Sequence, residues 1–215
     1  MKAIKNYLNT LLLAIGSGMC ICLGGAVYLM CENKALGAFF FSVGLCTILV
    51  FKFNLFTGMV GYIPNNKPKY VLDVAVTWLG NLIGAYSFAT LMGFTRIGEK
   101  LKLTATSLVE KKLCDNAPSL IILGVFCGLL MFIAVDSYKK YIDTKPFNAV
   151  LMEIMCVTVF ILAGFEHSIA DMFYFAAAGK YLEGFGVLGL VTLGNAIGGM
   201  LIPVIMKISG GLTNK

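Results

Sequence analysis

The chain has 215 residues, of which 59% are hydrophobic and only 13% charged, and its mean hydropathy is +0.86. A soluble domain averages about 25% charged residues, so this composition excludes a water-soluble domain, a disulfide-built secreted scaffold and a disordered tail, and points to a bilayer as solvent. The net charge of +6 is carried by single or paired basic residues without a long cationic block. That pattern fits lysine-rich cytoplasmic ends of a membrane protein and not nucleic-acid binding.

Six apolar stretches follow one another, at 8–31, 35–63, 70–95, 118–137, 147–178 and 184–206. The first follows Lys2 and Lys5 and is about 23 residues long, too long for the core of a signal peptide, so it reads as a retained helix. A crossing of the hydrocarbon core takes about 20 residues, and four stretches fit that length. The second and fifth, at about 29 and 32 residues and 1.5 Å per residue, would exceed 40 Å as single helices. Both are interrupted by polar residues: Lys52, Asn54, Thr57 and Gly58 in the second, Glu166, His167, Ser168 and Asp171 in the fifth. Long, interrupted spans at corresponding places predict broken helices at a binding or conduction site. The segment 96–117 reads as one long loop. Five of the seven cysteines, Cys20, Cys22, Cys46, Cys127 and Cys156, lie inside apolar stretches, with Cys31 and Cys114 near edges. They read as small buried hydrophobes and not as a disulfide or metal framework.

The halves repeat. Leu79-Gly80-Asn81-Leu82-Ile83-Gly84 matches Leu193-Gly194-Asn195-Ala196-Ile197-Gly198 at an offset of 114, and an offset of 113 sets Asn54 on His167, Thr57 on Ala170 and Met59 on Met172. Three spans per half is an odd number, so the halves have opposite orientation. The expected fold is an all-α membrane protein, six transmembrane helices as two inverted three-helix repeats with the second and fifth broken, aquaporin-like. It forms a single transmembrane domain over 1–215, with repeats at about 8–95 and 118–206. Nine lysines lie in the termini, 64–69 and 138–146 segments (Lys2, Lys5, Lys67, Lys69, Lys139, Lys140, Lys145, Lys207, Lys215), against seven basic residues opposite, five of them in the 96–117 loop. That count sets both termini in the cytoplasm.

His167, the one histidine, lies near the middle of the fifth stretch, where a titratable group is costly and by default functional. Ser168 and Asp171 have the spacing of a capping box, which predicts a helix restarting after Ser168 with free N–H groups that favour an anion. In the second stretch Thr57 is placed to cap a restarting half-helix and Gly58 to ease the backbone path. The two breaks should face each other across one pathway.

Leu55-Phe56-Thr57-Gly58 and Gly164-Phe165-Glu166-His167-Ser168-Ile169-Ala170-Asp171-Met172-Phe173 resemble the two signatures of the formate/nitrite transporter family, and Gly80-Asn81 and Gly194-Asn195 fall where that family carries Gly-Asn. The resemblance runs over all six stretches. It implies a homopentamer with one pore per protomer and a lone central histidine. It also implies a pathway of His167, Thr57, Lys112, Asn81 and Asn195, an outer constriction at Phe41 and Phe160, and an inner one at Leu55 and Phe56. Lys112, or its neighbour Lys111, would attract anions in the outer vestibule. The chain departs from the family pattern in having Asn54 before Leu-Phe-Thr where an acid is common, Cys156 where proline is common, Gly128 where asparagine is usual in the fourth span and Asp171 for a usual asparagine, and in the added charge of Lys52. Short terminal extensions argue against a long N-terminal gating helix.

The function these features imply is a membrane channel or transporter for small monovalent anions, formate or nitrite first, with proton involvement through the central histidine. A hydrosulfide, acetate or lactate channel of the same family is the alternative. An intramembrane enzyme has little support, since one histidine makes no HExxH zinc site; a cation channel using Asp73, Glu153, Glu166 and Asp171 is the third reading. No cofactor, metal or nucleic acid is expected. The partners are a lipid bilayer, a small anion and other copies of the chain, in a prokaryotic plasma membrane.

Overall fold

Hydrocarbon offers the backbone no hydrogen-bond partner, so a chain this apolar must satisfy its N–H and C=O groups internally, most simply in helices. The computed structural model describes residues 2–213, with side chains from Lys5 to Gly210; the side chains of Lys2 and Lys215 in the orientation count fall outside these. The elements are α1 (Lys2–Met30), α2 (Lys34–Phe51), α3 (Phe56–Met59), a 3-10 turn (Val60–Asn65), α4 (Tyr70–Gly93), α5 (Gly98–Leu113), α6 (Ala117–Tyr141), α7 (Pro146–Leu162), α8 (Ser168–Ala177) and α9 (Phe185–Thr213). Five helices, α1, α2, α4, α6 and α9, are long and apolar enough to cross a membrane, whereas α7 is apolar but only 17 residues long. Their outward faces carry exposed Leu12, Phe40, Val50, Leu79, Leu151 and Leu201, an apolar surface of the kind a bilayer or a neighbouring copy covers.

The two long stretches are broken as expected. α2 starts where Asn33 accepts from the Ala35 and Leu36 N–H groups, and ends at Lys52, whose φ of 55° is left-handed. α7 ends at Ala163, followed by Gly164 with φ of 71°. The segment 96–117 is not a loop. Residues 98–113 form α5, which buries Leu101, Ala105, Val109 and Lys112 on one face against α8, α1 and α4. The spacing of those four positions is helical, a signal masked by the segment's high charge.

α1 packs on α4 and α2, α6 packs on α9 and α7, and α2 meets α7. The close approaches use glycine. A Cβ at Gly84 would collide with the Ile15 carbonyl oxygen, and one at Gly198 with the Val125 carbonyl oxygen. Gly18 lies on the Asn81 backbone and Gly128 on the Asn195 backbone in the same way. Gly128 is therefore a backbone contact with α9, where an asparagine side chain has no room; its departure from the family pattern concerns packing and not the anion. Lys207 Nζ donates to the Pro64 carbonyl at 2.8 Å, Lys139 Nζ sits 4.5 Å from the Tyr62 ring centre and Lys69 Nζ 6.0 Å from that of Tyr7. These contacts gather the start of α1, the 62–69 segment and the C-terminal ends of α6 and α9 at one end. Lys112 precedes the other end of α6, which at 25 residues and 1.5 Å per residue is about 37 Å long.

Gly198→Ala is expected to cost about 3 kcal/mol or more, because the obstacle is backbone and not a movable side chain. Gly189→Ala, where nothing stands within 4 Å, should be silent. Thermal unfolding of the two purified variants in detergent checks this, and equal melting temperatures would refute it.

Candidate functional site

The breaks at 52–55 and 163–167 expose backbone groups that no helix satisfies, and two buried asparagines take them up. Asn81 Oδ1 accepts from the Phe56 N–H at 2.9 Å, while its amide donates to the Ala14 carbonyl at 2.8 Å and the Asn54 carbonyl at 3.0 Å. Asn195 Oδ1 accepts from the Ser168 N–H at 2.9 Å, and its amide donates to the Gly124 carbonyl at 2.9 Å and the Glu166 carbonyl at 2.8 Å. The Gly-Asn pairs are thus the clasps of the two breaks. These bonds set the correspondence between the breaks: Lys52 with Gly164, Asn54 with Glu166, Leu55 with His167 and Phe56 with Ser168, each 112 residues apart. The sequence offset of 113 placed Asn54 on His167 and was one residue out. Nothing in the side chains marks the register; the backbone bonds do.

The caps also differ from expectation. The N-cap of α8 is His167, whose Nδ1 accepts from the Ala170 N–H at 3.1 Å. The expected Ser168–Asp171 capping box is not formed: Ser168 is inside the helix with its Oγ lacking a partner among the described residues, and Asp171 faces Lys112 at 2.9 Å. Thr57 does not cap α3, whose N-cap Leu55 makes no side-chain bond. Gly58 does not carry the unusual backbone; Lys52 does. Thr57 instead turns its hydroxyl to the other break, with Oγ1 3.0 Å from His167 Nε2. The two interrupted segments therefore meet, at residues 1% and 2% exposed.

Because Nδ1 accepts a backbone N–H, the proton of the neutral ring sits on Nε2, pointing at Thr57. Phe160 stacks on the imidazole, with centroids 5.5 Å apart, and Phe41 meets Phe160 edge to face at 6.1 Å. His167, Phe160, Phe41 and Lys112 line a cavity of about 90 Å³. Leu55, Asn54 and Lys52 line a larger one of about 400 Å³ at the lysine-rich end. His167 is in the lining of the smaller cavity, and its partner Thr57 stands in the chain between Leu55 and Gly58, both in the lining of the larger one. Phe56, the first residue of α3, is in the lining of neither cavity. It borders an apolar groove between α4 and α9 with Trp78 and Leu193.

Lys112 is not a solvated vestibule lysine. It is 9% exposed and its ammonium pairs with both Glu166 and Asp171, while Lys111 is exposed. Burial alone would lower the Lys112 pKa, but the Asp171 and Glu166 carboxylates outweigh it and raise the value above that of an ordinary lysine. Residue-type reasoning singled out Lys112 but missed this pairing, and it missed Tyr28 and Tyr174 in the same lining. The i to i+5 spacing of Glu166 and Asp171 gave no hint that one cation from α5 would reach both. Asp73 and Glu153 lie apart from them: Asp73 borders a surface pocket with Lys67 and Lys69, and Glu153 accepts from the Cys46 thiol at 2.7 Å. The four acids of the cation-channel reading do not share one path.

The model of the family described as formate/nitrite transporter matches residues 1–208. The chain belongs to the formate/nitrite transporter family. It is 27% identical to the formate channel FocA of Escherichia coli (strain K12), over 94% of this chain and 86% of that protein. It is 29% identical to the nitrite transporter NirC of the same strain, over 74% of this chain and 65% of that protein. A solved structure described as a pentameric formate channel with formate bound superposes with a TM-score of 0.79 at 26% identity, covering 97% of this chain and 98% of the other. An ion channel of the formate/nitrite transporter family at 24% identity, TM-score 0.77, shares the fold. The match reaches past both signatures to the helices that carry the asparagine clasps.

For this family member, Lys112→Glu would gather three carboxyl groups in one buried site, so its expected effect is on folding. Lys112→Met should destabilise the protein by about 3–5 kcal/mol, because two buried carboxyls lose their cation. Adding Glu166→Gln and Asp171→Asn should restore most of the loss, which melting temperatures of the single and triple variants would show.

Proposed function

We propose that the protein is a channel for small monovalent anions, formate or nitrite first, whose constriction is the Thr57–His167 contact. The observation that carries this reading is the 3.0 Å approach of Thr57 Oγ1 to His167 Nε2 between two cavities, at the meeting point of two interrupted helices. The printed functions of FocA and NirC and the formate-bound structural relative support the substrate class.

The chemistry follows from the barrier. A bare anion entering an apolar constriction loses its hydration, which costs far more than transferring a neutral acid unless donors replace the water. Phe41, Phe160 and Leu55 supply the apolar walls, each 2% exposed or less. His167 Nε2–H and the Thr57 hydroxyl are the donors, and an arriving anion takes the hydrogen bond they make to each other. A second proton on His167 would have to sit at Nδ1, where the Ala170 N–H already donates. The ring is therefore a neutral hydrogen-bond donor in the resting state; to pass a proton to the anion, Nδ1 must let go of the Ala170 N–H and take up a proton from water, so that Nε2 gives up its own and a neutral ring remains.

The architecture proposed for this function is the pair of inverted three-helix repeats. The matching asparagine clasps and the matching left-handed residues Lys52 and Gly164 support it. The assembly is a homopentamer, supported by the pentameric structural relative. The location is a prokaryotic plasma membrane with the lysine-rich end cytoplasmic, supported by the gathering of Lys69, Lys139 and Lys207 at the same end.

Flux in proteoliposomes, compared for formate, nitrite, hydrosulfide, acetate and lactate, tests the substrate class; absence of flux for all five would overturn it. Thr57→Ser should be nearly silent. Thr57→Val should lower flux about tenfold or more, since a hydrogen bond to a charged group is worth about 1.5–3 kcal/mol. His167→Asn keeps a good cap for α8 but cannot reach Thr57, so it should assemble and lose flux together with its pH dependence. Wild-type flux in either Thr57→Val or His167→Asn would remove that residue from the path.

A further inference from the structure

On the small-cavity side, one ammonium faces two carboxyls. With both ionised the cluster of Lys112, Glu166 and Asp171 carries one net negative charge, and with one protonated it carries none. In neither state does it concentrate anions. The larger cavity of about 400 Å³ is different: its charged lining residues are Lys52 and Lys139, and among the described residues neither lies within 4.0 Å of a carboxylate. The nearby Asp136 is engaged elsewhere, by Lys140 at 2.6 Å and by the Tyr62 hydroxyl at 3.2 Å. The Lys139 ammonium rests over the Tyr62 ring at 4.5 Å, a contact that leaves its N–H groups available to an anion.

Lys52 adds an independent observation. Among the described residues it is the one non-glycine with positive φ, at 55°, a conformation that costs a side-chain-bearing residue about 1–2 kcal/mol. The corresponding position of the other break is Gly164, for which that conformation carries no such cost. The backbone thus asks for glycine and the sequence supplies a lysine, which is part of the cavity lining. Strain kept at one position in this way points to a use for the side chain.

We propose that Lys52 and Lys139 form an anion-holding site in this cavity, which gathers the small monovalent anion beside Leu55, on the far side of the Thr57–His167 contact from Lys112. The proposal rests on the anion reading above and assigns its electrostatic attraction to this end. Asn54, in the same lining, adds an uncharged polar group where an acid would repel the ligand. The two lysines are exposed to solvent, and the mostly apolar walls between them offer an entering anion no competing carboxylate.

The test is formate flux in proteoliposomes as a function of formate concentration and ionic strength, for wild type, K52N/K139Q and K52R/K139R. Asparagine tolerates the left-handed backbone, so K52N removes the charge without adding strain. For K52N/K139Q, half-saturation is expected to rise and low-salt flux to fall about tenfold, the lower end of what electrostatic focusing supplies. The difference should shrink as salt screens the site over about 10 Å at 0.1 M, and K52R/K139R should resemble wild type. If the doubly neutralised variant fails to assemble, K139Q alone, which alters an exposed side chain, shows the same salt-dependent shift at smaller size. Unchanged half-saturation and salt dependence in a conducting K52N/K139Q channel would overturn the site and leave the proposed function standing. A wild type that carries no anion would overturn the proposed function, and the site with it.

Discussion

Interrupting a helix inside hydrocarbon leaves N–H and C=O groups with neither a helical partner nor water, at a cost of several kcal/mol for each group left alone. The molecule is organised around meeting that constraint twice. Asn81 and Asn195 each spend one oxygen and both amide hydrogens on it. In doing so each ties a break to its own helix and to a neighbour: Asn81 on α4 links the first break to α1, and Asn195 on α9 links the second to α6. With those bonds made, the turns at 52–55 and 163–167 have fixed geometry, and Thr57 and His167 are carried to each other from segments 110 residues apart.

Charge is handled by the same rule of local closure. Glu166 lies in the second break and Asp171 stands one turn into α8, and neither would be tolerated alone at 7% and 1% exposure. The cation that makes them tolerable comes from α5, a helix outside the membrane-crossing set whose apolar face fastens it to α8. Lys112 thereby couples the connection between the halves to the orientation of the segment that bears His167. His167 is in turn fixed by its own helix, through the Ala170 N–H, and by the Phe160 ring.

Much of this was legible in the chain. Apolar length gave the crossing helices, polar interruptions gave the two breaks, and Gly-Asn repetition marked Asn81 and Asn195 as matching positions, though as pathway residues and not as the clasps they form. Phe41, Phe160, Leu55, Thr57 and His167 all border or join the two cavities. What was not legible depended on geometry at the scale of one residue or on contacts between distant segments. The capping box at Ser168 and Asp171 had the right spacing, but the imidazole one position earlier took the role. Phe56 shared a motif with Leu55 yet borders another surface, since Leu55 is the extended N-cap and the helical turn of α3 begins only at Phe56. Lys112 read as a vestibule charge because its two carboxylate partners are 54 and 59 residues away in sequence. The helix at 98–113 was hidden because its buried apolar positions are few, Leu101, Ala105 and Val109, among many charged and hydroxyl residues.

The glycine contacts carry a mechanical consequence. Where α1 meets α4, and α6 meets α9, backbone lies against backbone with no side chain between them at Gly18, Gly84, Gly128 and Gly198. Such joints have no rotamers to rearrange and cannot tighten further, so each pair behaves as a stiff plank. The α2–α7 seam is built differently, from flexible side chains such as Cys46 and Glu153 bonded across it at 2.7 Å. Gly24 and Gly44 join α1 to α2 by the same kind of contact, so α1, α2 and α4 make one stiff group, and the side-chain seam between α2 and the glycine-free α7 divides it from the segment that carries Phe160.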